Sequence, residues 1–595
     1  MMKRSFARLL KKPFWPAFGY FTFSWFLSAL GKPVAYGFLA PLSAALGLAL
    51  FWKSLQFVQS KKRAFGLALV WFSLVSAFEL SWMTSTEWVG PLILLVYVFL
   101  VLALGLEFAL LCYFFLFFPS RGLSSWRRIL ALAGLWTLLE WSRLFFFSGF
   151  PFNVLGSALC YSRYSMQMAA FFGVYGLSFW VVLTNAYGYR ALFLKTRTKE
   201  VLIWLALVLF PYFLGYLHES YQKNPGLLPA GELSVLLIQT ALSPAQKEPV
   251  FERYREFIPP AEQWKRILLA VKEALLQKTS AGKPAVSAFR KKVKLPQPLP
   301  AVDLVVLPEA ALPFPAFESF YDLGSFFQVW EQVFGLDEEK AFLPPLGQPL
   351  AEPLGKKKQY GCLWKVSNAF WAQALANYLG AEVVIGLDEK EDLVNYNAAF
   401  HFQPFSLEIR RYAKRVLVPV VEYFPFEWCA KLAAAYGISG FFTPGKEAKV
   451  FPGKVPLGVC ICYEEAYGHL MRQNRAQGAR LLVNLSNDVW FPASSLPKAH
   501  FELGKIRSVE NGLPLVRACN TGVTGAVDAF GRVLVCLKDG ESQEHLQALF
   551  VKVPLDHYQT FYVRWGDLPI VVASLVLLGF FLISKKELPR KRPPT

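Results

Sequence analysis

The sequence predicts a polytopic α-helical membrane domain of about eight spans, with an α/β domain inserted before the last span. Hydrophobic residues make up 54% of the 595 residues and charged residues only 17%, well below the roughly 25% that is usual in soluble domains. Long apolar stretches fill the first 220 residues and recur once near the C-terminus. Between them, short β-prone runs alternate with helix-like runs, a pattern typical of an α/β domain.

Each apolar stretch approaches the ~20 residues that a helix needs to cross a bilayer. The predicted spans cover about residues 14–31, 34–52, 64–83, 90–118, 129–147, 166–189, 200–217 and Leu568–Ser584. The basic residues before the first stretch could belong to a signal peptide, but the many spans that follow favour an uncleaved first helix.

The basic residues between the spans predict the topology. Lys and Arg are concentrated at the N-terminus, in alternate loops and in the C-terminal tail. Because basic loops remain cytoplasmic, we expect both termini inside and the region from about 218 to 567 outside. The predicted domains are 1–221 for a transmembrane domain of about seven helices, 222–567 for the extracytoplasmic α/β domain, and 568–595 for a last helix with a basic cytoplasmic tail.

Charge and cysteine content exclude several other classes. The net charge of +20 comes mainly from residues between spans and at the termini, which indicates topology rather than a nucleic-acid groove. The eight cysteines include no CxxC pair, and the six histidines are scattered. The sequence therefore predicts no disulfide framework, no metal site and no other cofactor.

The inserted domain is predicted from its alternating elements. The predicted strands are Leu233–Gln239, Val302–Leu307, Glu382–Leu387, Ala398–Phe402, Leu407–Tyr412, Pro456–Cys462, Arg480–Leu485, Pro514–Cys519 and Gly525–Val535, and the predicted helices are Gln263–Gln277, Ser367–Leu379 and Pro497–Asn511. Two stretches interrupt the alternation. Residues 278–300 are basic and rich in Pro, as in a solvated surface segment. The aromatic, Pro-rich insertion at about 315–365 is expected to be a long loop, either a surface excursion or a contact with a membrane or partner.

Three predicted strand ends carry groups suited to nucleophilic catalysis: Glu309, Lys414 and Cys462. Each alone is a weak signal, since a strand cysteine is usually a small core residue and a lone Lys is usually solvated. Together they form a coherent set. A free thiol titrates near ~8.5, so a cysteine nucleophile needs a base and a cation close by.

In order and context, these residues match the Glu-Lys-Cys triad of the nitrilase superfamily. With its membrane helices, the chain resembles the apolipoprotein N-acyltransferases. Further matching motifs are Leu139-Glu140-Trp141, 149–156, 173–178, 396–399, 484–491, 514–517 and 520–524. The resemblance implies an αββα sandwich for the inserted domain.

The resemblance also implies a reaction and a location. An acyl chain would pass from a phosphatidylethanolamine-like phospholipid to Cys462 as a thioester. It would then pass to the N-terminal amine of the diacylglyceryl-cysteine of apolipoproteins. The expected location is the bacterial inner membrane, with the catalytic domain on the periplasmic side.

The resemblance assigns roles to the site residues. Glu309 would be the base, while Lys414 and the backbone N–H of Tyr463 would stabilise the oxyanion. Glu422 and Glu464 would orient Lys414 and the acceptor amine, or would simply be buried ion-pair partners of Lys. The candidates for contact with lipid or substrate are Phe424, Phe426, Trp428, Asn487, Trp490 and Phe491, although each could equally pack inside the α/β domain.

The sequence departs from the family pattern at two places near the site. The turn 240–243 reads Thr-Ala-Leu-Ser where the family usually has a Gly-Asn-Ile-Pro-like turn followed by a Trp, and Val421 stands where Gly is usual. Three rival functions remain: a membrane-tethered amidase with water as acceptor, a non-catalytic lipoprotein-binding scaffold, and a transporter. The intact triad argues against the scaffold. The absence of an inverted repeat argues against the transporter, so that Glu140 and Arg143 are better explained as a structural ion pair than as a transport site.

Overall fold

The computed structural model divides the chain into two compact units. One comprises Met1–Leu227 and Gln559–Thr595, and the other comprises Leu228–Tyr558. The structure describes residues 14–58, 60–117, 125–146, 149–194, 197–224, 231–249, 251–279, 301–335, 342–346, 354–357, 364–392, 394–419, 421–424, 441–537 and 545–584.

The first unit is helical, and a helix lies in each of the eight predicted spans. The main helices are Phe14–Leu30, Gly37–Leu55, Lys61–Glu79, Ile93–Phe117, Trp126–Ser142, Ala169–Tyr189, Thr198–Gln222 and Leu568–Ser584. Short helical segments are Ser81–Thr84, Arg143–Phe145, Leu155–Cys160, Arg163–Met166, Arg190–Leu194 and Phe561–Trp565.

Within the described residues, four helices are long and apolar enough to cross a membrane: Gly37–Leu55, Ile93–Phe114, Ala169–Leu194 and Thr198–Gln222. Three of the others have only 17 residues, and Lys61–Glu79 begins with three basic residues. The count of about eight spans is therefore not confirmed and stays a prediction.

Aromatic stacking and one buried carboxylate organise the core of the helical unit. The rings of Phe51 and Trp71 stack at 4.3 Å between centroids, and those of Phe108 and Trp136 at 4.2 Å. Glu140 Oε1 accepts from the indole N–H of Trp136 at 2.9 Å and lies 3.7 Å from Arg143 Nη2. The predicted ion pair is present, and it belongs to the packing of this unit.

The second unit contains fifteen strands among its described residues. In chain order they are β1 Glu232–Gln239, β2 Leu304–Val306, β3 Tyr321–Asp322, β4 Gly355–Lys357, β5 Trp364–Val366, β6 Glu382–Glu391, β7 Val394–Phe402, β8 Arg410–Ala413, β9 Val450–Phe451, β10 Leu457–Ile461, β11 Leu481–Ser486, β12 Leu515–Cys519, β13 Gly525–Val527, β14 Val533–Cys536 and β15 Gln547–Pro554. The helices and 3₁₀ segments are Pro244–Lys247, Phe251–Glu256, Pro260–Thr279, Leu323–Phe334, Asn368–Leu379, Cys462–Ala466, Gly468–Ala476 and Leu496–Asn511.

Two six-stranded sheets form the centre of this unit. Their strand orders are β15-β1-β2-β6-β7-β8 and β14-β13-β12-β11-β10-β9, and a small third sheet has the order β3-β5-β4. The central strands are parallel: β1 pairs with β2 and β2 with β6 in one sheet, and β10 pairs with β11 and β11 with β12 in the other. The carboxyl ends of the parallel strands in each sheet therefore meet at one edge, where ligand sites of such sheets usually lie.

Alternating side chains of each strand face different layers. Val235 and Leu237 of β1 pack with Val459 and Ile461 of β10 between the two sheets. Their neighbours Leu236 and Ile238 face outward, into a core shared with the helices Pro260–Thr279 and Asn368–Leu379. On the far side, the helix Gly468–Ala476 covers the outer face of the second sheet. This order of layers is the predicted αββα sandwich.

The expectation of a long loop at about 315–365 is wrong for its described part. The helix Leu323–Phe334 presents Phe326, Val329, Trp330 and Val333 to the core, at the i, i+3, i+4, i+7 spacing of one helix face. These aromatics pack inside the domain rather than against a membrane or partner. Residues 280–300, most of the basic stretch, lie outside the described residues.

Replacing Trp330 with Ala tests whether this insertion belongs to the core. Trp330 is buried and stacks on Phe326 at 5.1 Å and on Phe342 at 4.7 Å. We expect Trp330→Ala to lower the free energy of unfolding by about 3–5 kcal/mol, measured on the full-length protein in detergent. Tyr254→Ala, at a residue that is 65% exposed, should change it by less than about 0.5 kcal/mol. Equal stabilities for the two variants would contradict the assignment.

Candidate active site

The structure brings the ends of three strands to one place. Glu309 lies three residues after β2, Lys414 directly after β8 and Cys462 directly after β10. Lys414 Nζ donates to Glu309 Oε1 at 2.9 Å, with both side chains buried. Glu309 and Lys414 both act electrostatically on the thiol of Cys462. Side chains spread over more than 150 residues of the chain thus interact where these three strands end.

A close backbone approach fixes the turn that carries Glu309. Gly386 N donates to Pro308 O at 3.1 Å, and Ala311 N donates to Gly386 O at 2.8 Å. A Cβ on Gly386 would lie 2.6 Å from Glu309 Cα, nearer than real Cβ contacts allow. Ala310, which follows the acid, adopts a left-handed φ of 43°.

Lys414 is held between two carboxylates. Its Nζ donates to Glu309 Oε1 and to Glu422 Oε1, each at 2.9 Å. Burial opposes its charge, but Glu309 and Glu422 together raise the pKa of Lys414 well above the usual lysine value. Lys414 is therefore an ammonium throughout the physiological range.

Asn397 completes this arrangement and was not among the predicted site residues. Its Nδ2 donates to the same two oxygens as Lys414, Glu309 Oε1 at 2.7 Å and Glu422 Oε1 at 2.9 Å. Two donors and two acceptors thus form a closed four-membered array. The available signal was an amide in the buried second half of β7, where His401 is the one other polar residue.

Lys247 is a second residue that sequence reasoning missed. It lies in the short helix Pro244–Lys247, which Ser243 caps. Its Nζ donates to the carbonyl oxygen of Ala310, the residue after the catalytic acid candidate. Burial lowers the pKa of Lys247, and Asp388 and Glu309 partly oppose that shift. The short helix that follows the departing turn 240–243 thus supports the turn of Glu309.

Cys462 occupies a left-handed turn at the end of β10, with φ 49°. Burial raises the pKa of its thiol well above the ordinary value, and the carboxylate of Glu309 raises it further. The ammonium of Lys414 and a hydrogen bond from the backbone of Asn487 act in the opposite direction. Cys462 is therefore a neutral thiol, and it would need a base to act as a nucleophile.

Glu464 makes different contacts from Glu422. Glu422 touches Lys414, and its Oε2 accepts from Val418 N at 2.7 Å. The fully buried Glu464 accepts from Ile461 N at 2.8 Å, from the Tyr412 hydroxyl at 2.8 Å and from Arg415 N at 2.6 Å. Glu464 thus links the backbone next to Cys462 with the backbone next to Lys414.

The predicted lipid-facing residues have mixed surroundings. Asn487 and Phe491 are buried, and Trp490 is half-buried. Phe424 is half-buried and contacts Phe441 edge-to-face at 5.0 Å. The other two candidates, Phe426 and Trp428, lie outside the described residues. A lipid-facing role stays a prediction for all of them.

In the part of the chain that the structure describes, one trio has the spacing of metal ligands. Ligand atoms of Cys462, Asp488 and His500 lie within 4.8 Å of one another. Arg517 Nη2, however, lies 2.9 Å from His500 Nδ1 and 3.0 Å from Asp488 Oδ2. A fixed positive charge already binds these groups, and it would repel a metal cation.

Comparison with known proteins connects both units to described families. A family model described as carbon-nitrogen hydrolase matches residues 259–559, and one described as apolipoprotein N-acyltransferase N-terminal domain matches residues 15–187. The apolipoprotein N-acyltransferase of Chlamydia caviae is 33% identical over 95% of this chain and 98% of its own length. That of Chlamydia pneumoniae is 31% identical over 96% and 99%, and that of Geobacter metallireducens is 29% identical over 94% and 92%.

The opposing effects of Glu309 and Lys414 on Cys462 can be measured. Glu309→Gln removes a charge that raises the pKa of Cys462, so the thiolate fraction at mildly alkaline pH should rise. Because the thiolate is the form that is alkylated, we expect alkylation of Cys462 by iodoacetamide to accelerate. Lys414→Met should slow it. Mass spectrometry of the Cys462 peptide gives the rate, and the exposed Cys536 serves as an internal standard whose rate should not change. A pH profile of Cys462 that moves upward in Glu309→Gln would contradict this electrostatic account.

Proposed function

The chain belongs to the apolipoprotein N-acyltransferase family, and on that basis we propose that it transfers an acyl chain from a membrane phospholipid to the N-terminal amine of apolipoproteins. The observation that carries the proposal is the buried Glu309–Lys414 pair beside Cys462. A base and a cation that act electrostatically on a thiol are the groups that acyl transfer through a thioester needs.

In the first half-reaction, Glu309 takes the thiol proton of Cys462 while the sulfur attacks the acyl ester carbonyl of the phospholipid. Glu309 Oε1 already accepts from Lys414 and Asn397, so we assign this proton to Oε2. An ammonium carries three hydrogens, and Lys414 uses two of them on Glu309 and Glu422. We assign the third, with the backbone N–H of Tyr463, to the oxyanion. The ester C–O bond then breaks, and the lysophospholipid alkoxide leaves with the proton held by Glu309.

In the second half-reaction, the α-amine of a diacylglyceryl-cysteine attacks the thioester. Glu309 takes a proton from the amine, the C–S bond breaks and the proton passes to the sulfur. The products are the N-acylated lipoprotein and the free thiol of Cys462, so the cycle is ping-pong and needs no external oxidant or reductant. Glu422 keeps Lys414 in place in both halves.

We also propose which residues form the membrane part and on which side of the membrane the catalytic domain lies. Residues 1–221 and 568–595 would form the membrane part, and 222–567 the catalytic domain on the periplasmic side of the bacterial inner membrane. The four long apolar helices and the distribution of basic residues support this arrangement. A phosphatidylethanolamine-like lipid would be the acyl donor.

The acyl-enzyme provides the direct test. We expect the purified full-length protein, incubated with phosphatidylethanolamine, to gain one acyl mass that hydroxylamine removes. The matched control is Cys460→Ala, which changes a buried thiol two residues away and should still be acylated, whereas Cys462→Ala should not. No adduct on folded wild-type protein, together with ammonia release from simple amides, would favour the amidase instead.

A further inference from the structure

A buried charged network lies behind Cys462, and the reaction as proposed does not use it. It consists of Glu465, Asp488, His500 and Arg517, all of which are at most 3% exposed. Arg517 donates to Glu465 Oε2, and to Asp488 Oδ2 at 3.0 Å. Because a buried charge without partners is costly, such a network is expected to hold its members in one geometry.

The network ends at the nucleophile's own backbone. His500 Nδ1 lies 3.0 Å from Asp488 Oδ1 and 2.9 Å from Arg517 Nη2. It either donates to the carboxylate or accepts from the guanidinium, and either hydrogen bond fixes the ring. His500 Nε2 lies 3.0 Å from the carbonyl oxygen of Cys462. A carbonyl oxygen only accepts hydrogen bonds, so Nε2 carries the hydrogen and donates it. Asn484 Nδ2 donates to the same oxygen at 3.3 Å.

Holding this carbonyl also orients the next N–H group. The peptide unit is planar and trans, so the C=O of Cys462 and the N–H of Tyr463 point in opposite directions. The turn is strained, with Cys462 at φ 49°, and rotation of this peptide would turn the N–H of Tyr463 away from an oxyanion. Two side-chain donors on the carbonyl oppose that rotation.

We propose that His500 is a positioning residue that, through the carbonyl of Cys462, aims the N–H of Tyr463 at the oxyanion of acyl transfer. Glu465, Asp488 and Arg517 fix the ring of His500. The inference rests on the proposed function, because it assumes that Cys462 forms a tetrahedral intermediate. It adds to that function a mechanism that orients one oxyanion donor, the N–H of Tyr463, through a hydrogen bond on the opposite side of the same peptide.

Two reactions of the same thiol separate this role from a general loss of structure. Acylation by phosphatidylethanolamine passes through an oxyanion, whereas alkylation by iodoacetamide is a direct displacement that forms none. Loss of one oxyanion donor typically costs 10²–10³-fold in rate. We therefore expect His500→Asn, whose amide is too short to reach the carbonyl, to slow single-turnover acylation by about 10–100-fold and to leave alkylation of Cys462 nearly unchanged.

Two further variants serve as a rescue and as a control in this experiment. His500→Gln places an amide N–H near the position of Nε2 and should restore most of the acylation rate. His557, whose Nδ1 lies 3.1 Å from the carbonyl oxygen of Leu555, is the control, and His557→Asn should leave both rates unchanged. Should His500→Asn fail to fold, Asn484→Ala removes the second donor, and its acylation alone should slow.

The outcomes are distinguishable. Wild-type protein that folds but forms no acyl-enzyme removes the proposed function, and this inference with it. An active wild type with an equally active His500→Asn overturns the inference alone. Equal losses of acylation and alkylation in His500→Asn, or a His500→Gln variant as slow as His500→Asn, also overturn it, because the effect would then lie in the fold or in the sulfur itself.

Discussion

The ammonium of Lys414 between Glu309 and Glu422 is the interaction on which the candidate site depends. A buried cation is costly unless carboxylates and further donors surround it, and here each carboxylate is also bound by Asn397 or by backbone. The array brings together segments from β2, β7 and the turn after β8. It also determines the state of the thiol. Burial and the carboxylate of Glu309 raise the pKa of Cys462 and the ammonium of Lys414 lowers it, and the net effect is a neutral thiol.

The two strained turns of the candidate site are stabilised in the same way. Ala310, after the acid, and Cys462 itself both adopt left-handed φ values, which cost roughly 1–2 kcal/mol each for residues with a Cβ. In both turns the carbonyl of the strained residue accepts a side-chain hydrogen bond, from Lys247 at Ala310 and from His500 at Cys462. The surrounding domain thus holds both turns in a geometry that the local sequence alone would not favour.

Much of the fold follows from patterns that the sequence displays openly. Apolar runs located β1, β2, β10 and β11 within a residue or two, because strands buried on both faces read as continuous hydrophobic runs. The helix Leu323–Phe334 was missed although its apolar spacing is regular, because the surrounding prolines and aromatics suggested a loop. β15 was missed because it is half-exposed and gives a weak pattern.

Some residues of the candidate site were predictable from the sequence and others were not. Glu309, Lys414 and Cys462 each follow a predicted strand, and the family resemblance predicted that they would meet. Asn397 and His500 lie inside a strand and a helix, where a polar residue produces no periodic signal and its partner is far away in sequence. The contacts of Asn397 and His500 depend on which oxygen atom each side chain reaches, and this requires the three-dimensional structure.

The pairing of β1 with β15 has a consequence for how the chain acquires its structure. These strands begin and end the α/β unit and lie side by side, with Glu232 opposite Pro554. During synthesis, β2 can pair with one edge of β1 early, but the other edge has no partner until more than 300 further residues have emerged. Such long-range closure is slow, and an open strand edge invites pairing with other chains. The sheet is therefore completed only shortly before the final helix is synthesised. A chain truncated before residue 547 would leave one edge of β1 unpaired, and this membrane-tethered domain would be prone to aggregate through that edge.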